Sequence, residues 1–248
     1  VVGKTPLYFS DGVDYLGCIC AADVLKADST EAIALLKRQH LQIVMLTGDN
    51  HNTATAIAEQ AGIDRVISDV LPQDKAGAIQ KLQKAYVDAG SMAVYAPTFM
   101  ANRVSLKNMG LEDEIRRLNL ENVKISREAV GNRALVAGDL STTSQPLEPI
   151  GTMTYDALLE NYKEQISYLV EAGVDYLAAE TLLSLEEAMV ICDAAAAVCD
   201  LPLTLSFTCE GDGRLYFGGS VVDAAIALED MGADAVGVNC AVGPNQLQ

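Results

Sequence analysis

The residues best suited to chemistry in this chain stand at the ends of apolar runs. Cys240 follows Asp234-Ala235-Val236-Gly237-Val238-Asn239, a segment bounded by Gly232 and by Gly243-Pro244. It reads as a buried parallel strand that delivers a thiol to its carboxyl end, where α/β proteins place their chemistry. The bland reading is a small buried hydrophobe, the commoner fate of a free cysteine. Glu180 closes the apolar run Val174-Asp175-Tyr176-Leu177-Ala178-Ala179. A carboxylate there is costly to bury without a cation, unless Glu180-Thr181 simply caps the helix that runs from about Leu185. Further upstream, Thr47-Gly48-Asp49-Asn50 directly follows a strand and precedes a helix, which makes a cradle for phosphate or metal, or else an ordinary helix cap. Lys75 falls in the first turn of a helix begun by Pro72, where the helix dipole disfavours a cation, a hint of use.

These positions need elements to hold them. In the first third, Leu7 to Ser10 and Tyr15 to Cys20 flank Asp11-Gly12 and read as a hairpin. A capped helix follows from Asp28-Ser29-Thr30-Glu31, with Ala32, Leu35 and Leu36 on one face, then a strand over Gln42 to Leu46. A helix over Thr53 to Ala61, a short strand over Arg65 to Ser68 and the helix from Pro72 complete it. From Tyr86 onward, five strands alternate with helices: Met92 to Ala96, Ala134 to Gly138, Val174 to Ala179, Leu203 to Phe207 and Ala235 to Val238. Several of the intervening helices end in Ala-Gly or Met-Gly-Ala. Repeated βα units mean a parallel sheet covered by helices, either a (β/α)8 barrel or a doubly wound sheet. Polar residues cluster just past each strand end: Thr98, Asp139-Leu140-Ser141-Thr142-Thr143, Glu180-Thr181, Thr208 and Asn239-Cys240. That is where a site built from βα loops belongs.

Composition bounds the function. A chain of 248 residues, half of them apolar, is a globular composition with room for one large or two ordinary domains. A formal net charge of −17 argues against nucleic-acid or anionic-membrane partners. No apolar run is long enough to span a membrane and no secretory leader is visible, so a cytoplasmic location is expected. The six cysteines show no paired metal spacing, and His40 and His51 are the only histidines.

Residues 1–85 resemble the phosphorylation domain of heavy-metal (copper-type) P-type ATPases, a haloacid-dehalogenase-like, Rossmannoid fold. The resemblance rests on Ala22 to Asp28, Val44 to Asn50, Ala54 to Ala58, Gly62-Ile63-Asp64 and Leu71 to Lys75 in that order. It implies that Thr47 hydrogen-bonds a phosphoryl group, that Lys75 balances its charge and that Asp49 belongs to the nucleotide-proximal loop. The family's D-K-T-G-T nucleophile and its G-D-G-x-N-D magnesium segment have no counterpart here, so ATP hydrolysis is not expected.

Residues 86–248 resemble the homocysteine-binding domain of homocysteine S-methyltransferases, most closely the N-terminal module of cobalamin-dependent methionine synthases. The matching segments include Tyr95 to Phe99, Ala101-Asn102-Arg103, Ala137 to Thr143, Tyr162 to Gln165, Glu171 to Asp175, Glu180-Thr181, Ser206-Phe207-Thr208 and Gly237 to Cys240. Members of that family bind zinc through three cysteines and transfer a methyl group to the zinc-bound thiolate of homocysteine. The resemblance makes Cys240 the first zinc ligand and Glu180 the acid that receives the substrate ammonium, with Thr98 and Asn239 lining the pocket. A cobalamin or folate methyl donor is implied by the family alone. The D-G-(A/G)-x-G-T turn of the first barrel strand and the later cysteine pair are missing, leaving one zinc ligand of three. The expectation is a partial (β/α)8 barrel of about five βα units, truncated and with its activity in question, behind a partial haloacid-dehalogenase-like segment. No catalytic residue is assigned. The junction lies in one helical pattern, Ala78 to Gly90, and the upstream strands are expected to extend the sheet begun at Met92. Exposed sheet edges would favour homo-oligomers. The alternatives are an ATPase fragment with residual phosphate or nucleotide binding, and a non-catalytic chimera.

Overall fold

A computed structural model describes residues 5–21, 25, 29–40, 43–46, 51–67 and 72–241. The chain divides into two compact units, Val1–Lys75 and Ala76–Gln248. In the first, β1 (Thr5–Ser10) and β2 (Tyr15–Ala21) form the expected antiparallel hairpin. Its turn is set by Gly12 at φ +97° and by the Asp11 carboxylate, which accepts from the backbone N–H of Val13 and Asp14 at 2.9 and 2.8 Å. Then come α1 (Ser29–Arg38), β3 (Val44–Leu46), α2 (His51–Ala61) and β4 (Arg65–Ile67), followed by α3 (Pro72–Asp88), which begins at Pro72 as its fixed φ favours. The apolar face read for α1 is not buried: Leu35 and Leu36 are both exposed.

β3 and β4 pair in parallel with each other in a two-stranded sheet of their own. The expectation that they extend the sheet begun at Met92 is therefore not met among the described residues. Strands joined by a single short crossover, here α2, satisfy each other first.

The second unit carries one five-stranded parallel sheet in the order β5 (Ala93–Tyr95), β6 (Leu135–Ser141), β7 (Tyr176–Leu182), β8 (Leu203–Phe207) and β9 (Ala235–Val238). The connections hold α4 (Arg103–Lys107), α5 (Ile115–Val130), α6 (Tyr155–Ala172), α7 (Leu185–Val198) and α8 (Val221–Asp230). Sequential order with a helix in every crossover is the βα rhythm seen in the sequence.

Three local devices fix this unit. Helix starts are capped by side-chain oxygens: Asn102, Thr154, Ser184 and Ser220 each accept a backbone N–H from three residues on. Helix α6 ends at Gly173, left-handed at φ +80°, which explains one Ala-Gly pattern of the sequence. Two residues later, Asp175 Oδ2 accepts from Val136 N at 2.6 Å, and Asp234 Oδ2 accepts likewise from Leu203 N at 2.8 Å. Each Gly-x-Asp thus ends a helix and pins the strand next door.

Period-two alternation then divides the sheet into two faces. Leu203, Leu205 and Phe207 of β8 join one buried apolar cluster with Leu158, Ile166 and Leu169 of α6, Val190 and Ile191 of α7, and Leu228 of α8. The opposite face carries Thr204 and Ser206. Strand β6 runs three residues past Gly138, where the apolar run in the sequence ends. Gly138 is there for packing, since a Cβ on it would lie 2.9 Å from Leu169 Cδ1 of α6. Among the described residues no helix is long and apolar enough to cross a membrane.

Candidate functional site

The polar face converges at the carboxyl ends of β6 to β9. Its hub is the Asn239 side chain, just past β9. Asn239 Oδ1 accepts from Thr181 N at 3.0 Å and from Ser206 Oγ at 3.0 Å, so it reaches across β8 to β7. Asn239 Nδ2 donates to Thr181 Oγ1 at 2.8 Å, and stands 3.4 Å from Glu180 Oε2 and 3.5 Å from Cys240 Sγ. One amide therefore flanks both the acid and the thiol. The acid and the thiol thus lie at the same end of the sheet.

The backbone is strained at the same place. Thr181 and Cys240 have φ of 60° and 51°, the left-handed region that a β-branched residue rarely enters. Such conformations cost roughly 1–3 kcal/mol each and persist where surrounding bonds over-determine them. Here the bonds from Asn239 to Thr181, and from Thr208 Oγ1 to Cys240 O at 3.4 Å, do so.

On β6, Asp139 is only 5% exposed. Its backbone is held by Thr98, whose hydroxyl donates to Asp139 O at 2.8 Å and accepts from Asp139 N at 3.0 Å. Burial, and then the neighbouring Glu180 charge, push the Asp139 carboxyl up to about 8. Burial alone raises Glu180. Beside them Tyr95 and Tyr176 meet edge to face, with centroids 6.4 Å apart, and burial pushes the Tyr176 phenol up to about 12. None of the ion pairs among the described residues involves Asp139 or Glu180.

Several expectations change. Cys240 is exposed, and its strand is half-exposed rather than buried, because β9 lies at an edge of the sheet and is covered on one side only. Glu180 is no helix cap; Ser184 caps α7, and Glu180 stays inside β7. Thr98 is fully buried with its hydroxyl committed to Asp139, so it positions β6 rather than facing a ligand directly. Thr47 and Asp49 lie outside the described residues, and Lys75 is placed only as a backbone position in the first turn of α3. Asp139 and Ser141 are strand residues rather than loop polars past a strand end. The alternation Ala137, Asp139, Ser141 is the signal that puts them on the site's face.

A sequence model of the family described as homocysteine S-methyltransferase matches residues 42–248. The chain belongs to that family. The fold agrees: the homocysteine methyltransferase MmuM from Escherichia coli, metallated form, superposes with a TM-score of 0.60 at 20% identity over 86% of this chain and 78% of that one. Its apo form gives 0.57 at 22% identity, over 84% of this chain and 76% of that one. A separate similarity links 82 residues, 33% of the chain, to 10% of a copper-exporting P-type ATPase of Staphylococcus aureus (strain bovine RF122 / ET3-1) at 48% identity. The same protein of strain JH9 matches at 46% over the same lengths. The chain thus spans about a tenth of the length of these curated relatives.

Zinc, which the family resemblance implies, finds a poor fit among the described residues. No three His, Cys, Asp or Glu side chains gather where they could share a metal ion. The neighbour of Cys240 Sγ is the Nδ2 amide group of Asn239 at 3.5 Å, a donor that cannot itself ligate a cation. A catalytic zinc normally has three protein ligands, and Cys240 supplies one.

Proposed function

We propose that this face recognises homocysteine, and that the chain's own residues account for recognition of the amino acid rather than for the methyl transfer of complete family members. The observation behind the proposal is the single amide of Asn239 between the Glu180 carboxylate and the Cys240 thiol. Glu180 has no cation partner among the described residues and is held by a hydrogen bond near the carboxyl end of its strand, as a receiver for a substrate ammonium would be. Its raised proton affinity reflects burial that a bound cation would offset. Asn239 orients both groups, and Ser206 and Thr181 fix its amide plane.

Thermal melting with L-homocysteine tests the reading. Protection of the full chain that is lost in Glu180→Gln supports it. Equal protection by homocysteine of wild type and Glu180→Gln, or none of either, would sink it.

A second reading applies to residues 1–85, on the strength of the 48% identity over 82 residues to a copper-exporting P-type ATPase. We infer a phosphorylation-domain-like segment in which Thr47, Asp49 and Lys75 bind phosphate or nucleotide weakly. Without an aspartyl nucleophile and its magnesium carboxylates it would bind without hydrolysing. Nucleotide-dependent protection abolished by Lys75→Ala is the expected result, and its absence in wild type leaves this segment a structural remnant.

A further inference from the structure

Four buried side-chain amides surround residues 98–105, the stretch that follows β5, and each has one end tied to that backbone. Gln165 Nε2 donates to Thr98 O at 2.9 Å, and Asn119 Nδ2 donates to Ala101 O and to Ile115 O, each at 2.8 Å. Asn161 Oδ1 accepts from Val104 N at 3.0 Å, and Asn102 Oδ1 accepts from Ser105 N at 2.9 Å. These bonds decide which way each amide points, since a flipped amide would set oxygen against carbonyl or N–H against N–H. The opposite ends are thereby fixed too. Asn102 and Asn161 present NH2 donors, while Asn119 and Gln165 present carbonyl acceptors. None of these four ends has a hydrogen-bond partner among the described residues, although the residues are 0%, 6%, 0% and 0% exposed in that order.

The elements behind the amides converge on the same stretch. Asn161 and Gln165 are four residues apart on α6, hence on one side of it, and Asn119 comes from α5. Toward solvent, Arg103 donates to both Glu164 oxygens at 2.7 and 2.6 Å and ties this stretch to α6 beside the amides. Folded proteins seldom leave buried polar groups unpaired, and ordered water is a usual partner where several stand together.

We propose that the four amides form a binding site for internal water, which locks the stretch after β5 onto α5 and α6. The chemistry selects that occupant. Water offers two donors and two acceptors, the complement of two carbonyls and two NH2 groups, and buried waters make about three hydrogen bonds each, up to about four. A cation would meet the NH2 groups and an anion the carbonyls, and either would enter among neutral partners that cannot offset its charge. The site is independent of the homocysteine reading. It nevertheless lies one hydrogen bond behind the polar face: Gln165 holds Thr98 O, while the Thr98 hydroxyl grips Asp139 at both O and N.

NMR on the isotopically labelled full chain tests this through cross-relaxation between water and side-chain NH2 protons, with rotating-frame spectra separating true contacts from chemical exchange by their sign. In wild type the NH2 protons of Asn102 and Asn161 should show direct, long-lived water contacts, and the exposed Asn108 should show none. Asn102→Thr keeps a hydroxyl to cap Ser105 N and removes the NH2 donor. It should abolish the water contact at Asn161, a residue it does not alter and whose bond to Val104 N still holds the amide in place. Water contacts missing from both amides in wild type overturn the site, whether or not the variant folds. A contact at Asn161 that outlasts Asn102→Thr overturns it as well, because separate waters would then serve the two amides.

Discussion

Asn239 follows β9 and Glu180 lies in β7, strands that are not neighbours, yet Asn239 Nδ2 stands 3.4 Å from Glu180 Oε2 across the end of β8. The amide spans that gap because Ser206 on β8 donates to its oxygen from below. Replacing it separates two effects. Asn239→Ala removes the acceptor of Thr181 N, and a lost bond at a half-buried, left-handed residue costs about 1–2 kcal/mol. Asn239→Asp keeps that acceptor but loses the donor and sets a second carboxylate beside Glu180. The expected outcome is a drop of a few degrees in Tm for Asn239→Ala, by calorimetry. Asn239→Asp should lose homocysteine protection with the smaller thermal penalty at pH 5, where the new acid is more often protonated.

Asp139 makes stability depend on pH in the opposite sense from most carboxylates. Its carboxyl ionises near 3.8 when unfolded and near 8 when folded. Between these limits the unfolded chain binds fewer protons, so folding free energy is lost as pH rises from about 4 to about 8 and is fully present only below that window. Burial raises Glu180 too, so its contribution has the same sign. Asp139→Asn removes the ionising group at little steric cost. Urea unfolding should show the variant close to wild type at pH 4 and more stable by of order 1 kcal/mol or more at pH 8. Parallel pH profiles for the two proteins would show that Asp139 ionises freely in the fold.

The sheet was legible in the sequence because each of its cues is local. Apolar runs of strand length mark β5 to β9, and the glycine at position 173 ends its helix for a reason that travels with residue type. Glu180, Asn239 and Cys240, the residues of the proposed homocysteine site, were legible for the same reason, as polar residues at strand ends. What escaped depends on neighbours. Whether Cys240 is buried is decided by β9 lying at a sheet edge, a property of pairing order. Gly138-Asp139 looks like a chain break, because glycine followed by aspartate is ordinary turn chemistry. Only the packed structure shows that Leu169 packs tightly against the glycine, and that the strand continues to bring Asp139 and Ser141 onto the face.

Behind the site, Glu187 is a buried carboxylate satisfied without a cation. Its oxygens accept from Thr142 Oγ1 at 2.5 Å, Thr143 N at 2.8 Å, Thr143 Oγ1 at 2.9 Å and Tyr162 OH at 2.7 Å. It ties the loop after β6 to α6 and α7. Glu187→Ala leaves a buried backbone N–H at Thr143 unpaired, at a cost of about 2–4 kcal/mol with the lost hydroxyl bonds counted. Glu187→Gln keeps one oxygen for Thr143 N and Tyr162, and the Thr142 hydroxyl can turn to accept from the new amide, so its cost should be under half as large. Denaturant unfolding checks the order. Hydrogen exchange at Thr143 N should accelerate in the alanine variant by more than global stability accounts for, since the loop loses its anchor locally.

Metal content tests whether the family's zinc chemistry extends to this chain. A zinc site must bring deprotonated ligands within about 2.0–2.3 Å of one point, and three protein ligands are the usual minimum for a catalytic ion. Cys240 is exposed at the end of an edge strand, with an amide as its closest described partner, while Cys192 and Cys209 are buried elsewhere. A single cysteine ligand leaves most of the coordination sphere to water and holds zinc weakly. Protein purified in the presence of zinc and then exchanged into metal-free buffer should therefore retain far less than one ion per chain. Cys240→Ala should change that content little and leave Tm unaltered by a chelator. Stoichiometric zinc that survives exchange and disappears in Cys240→Ala would mean that ligands from outside the described residues complete the site, and the methyl-transfer chemistry of the family would then extend to this chain.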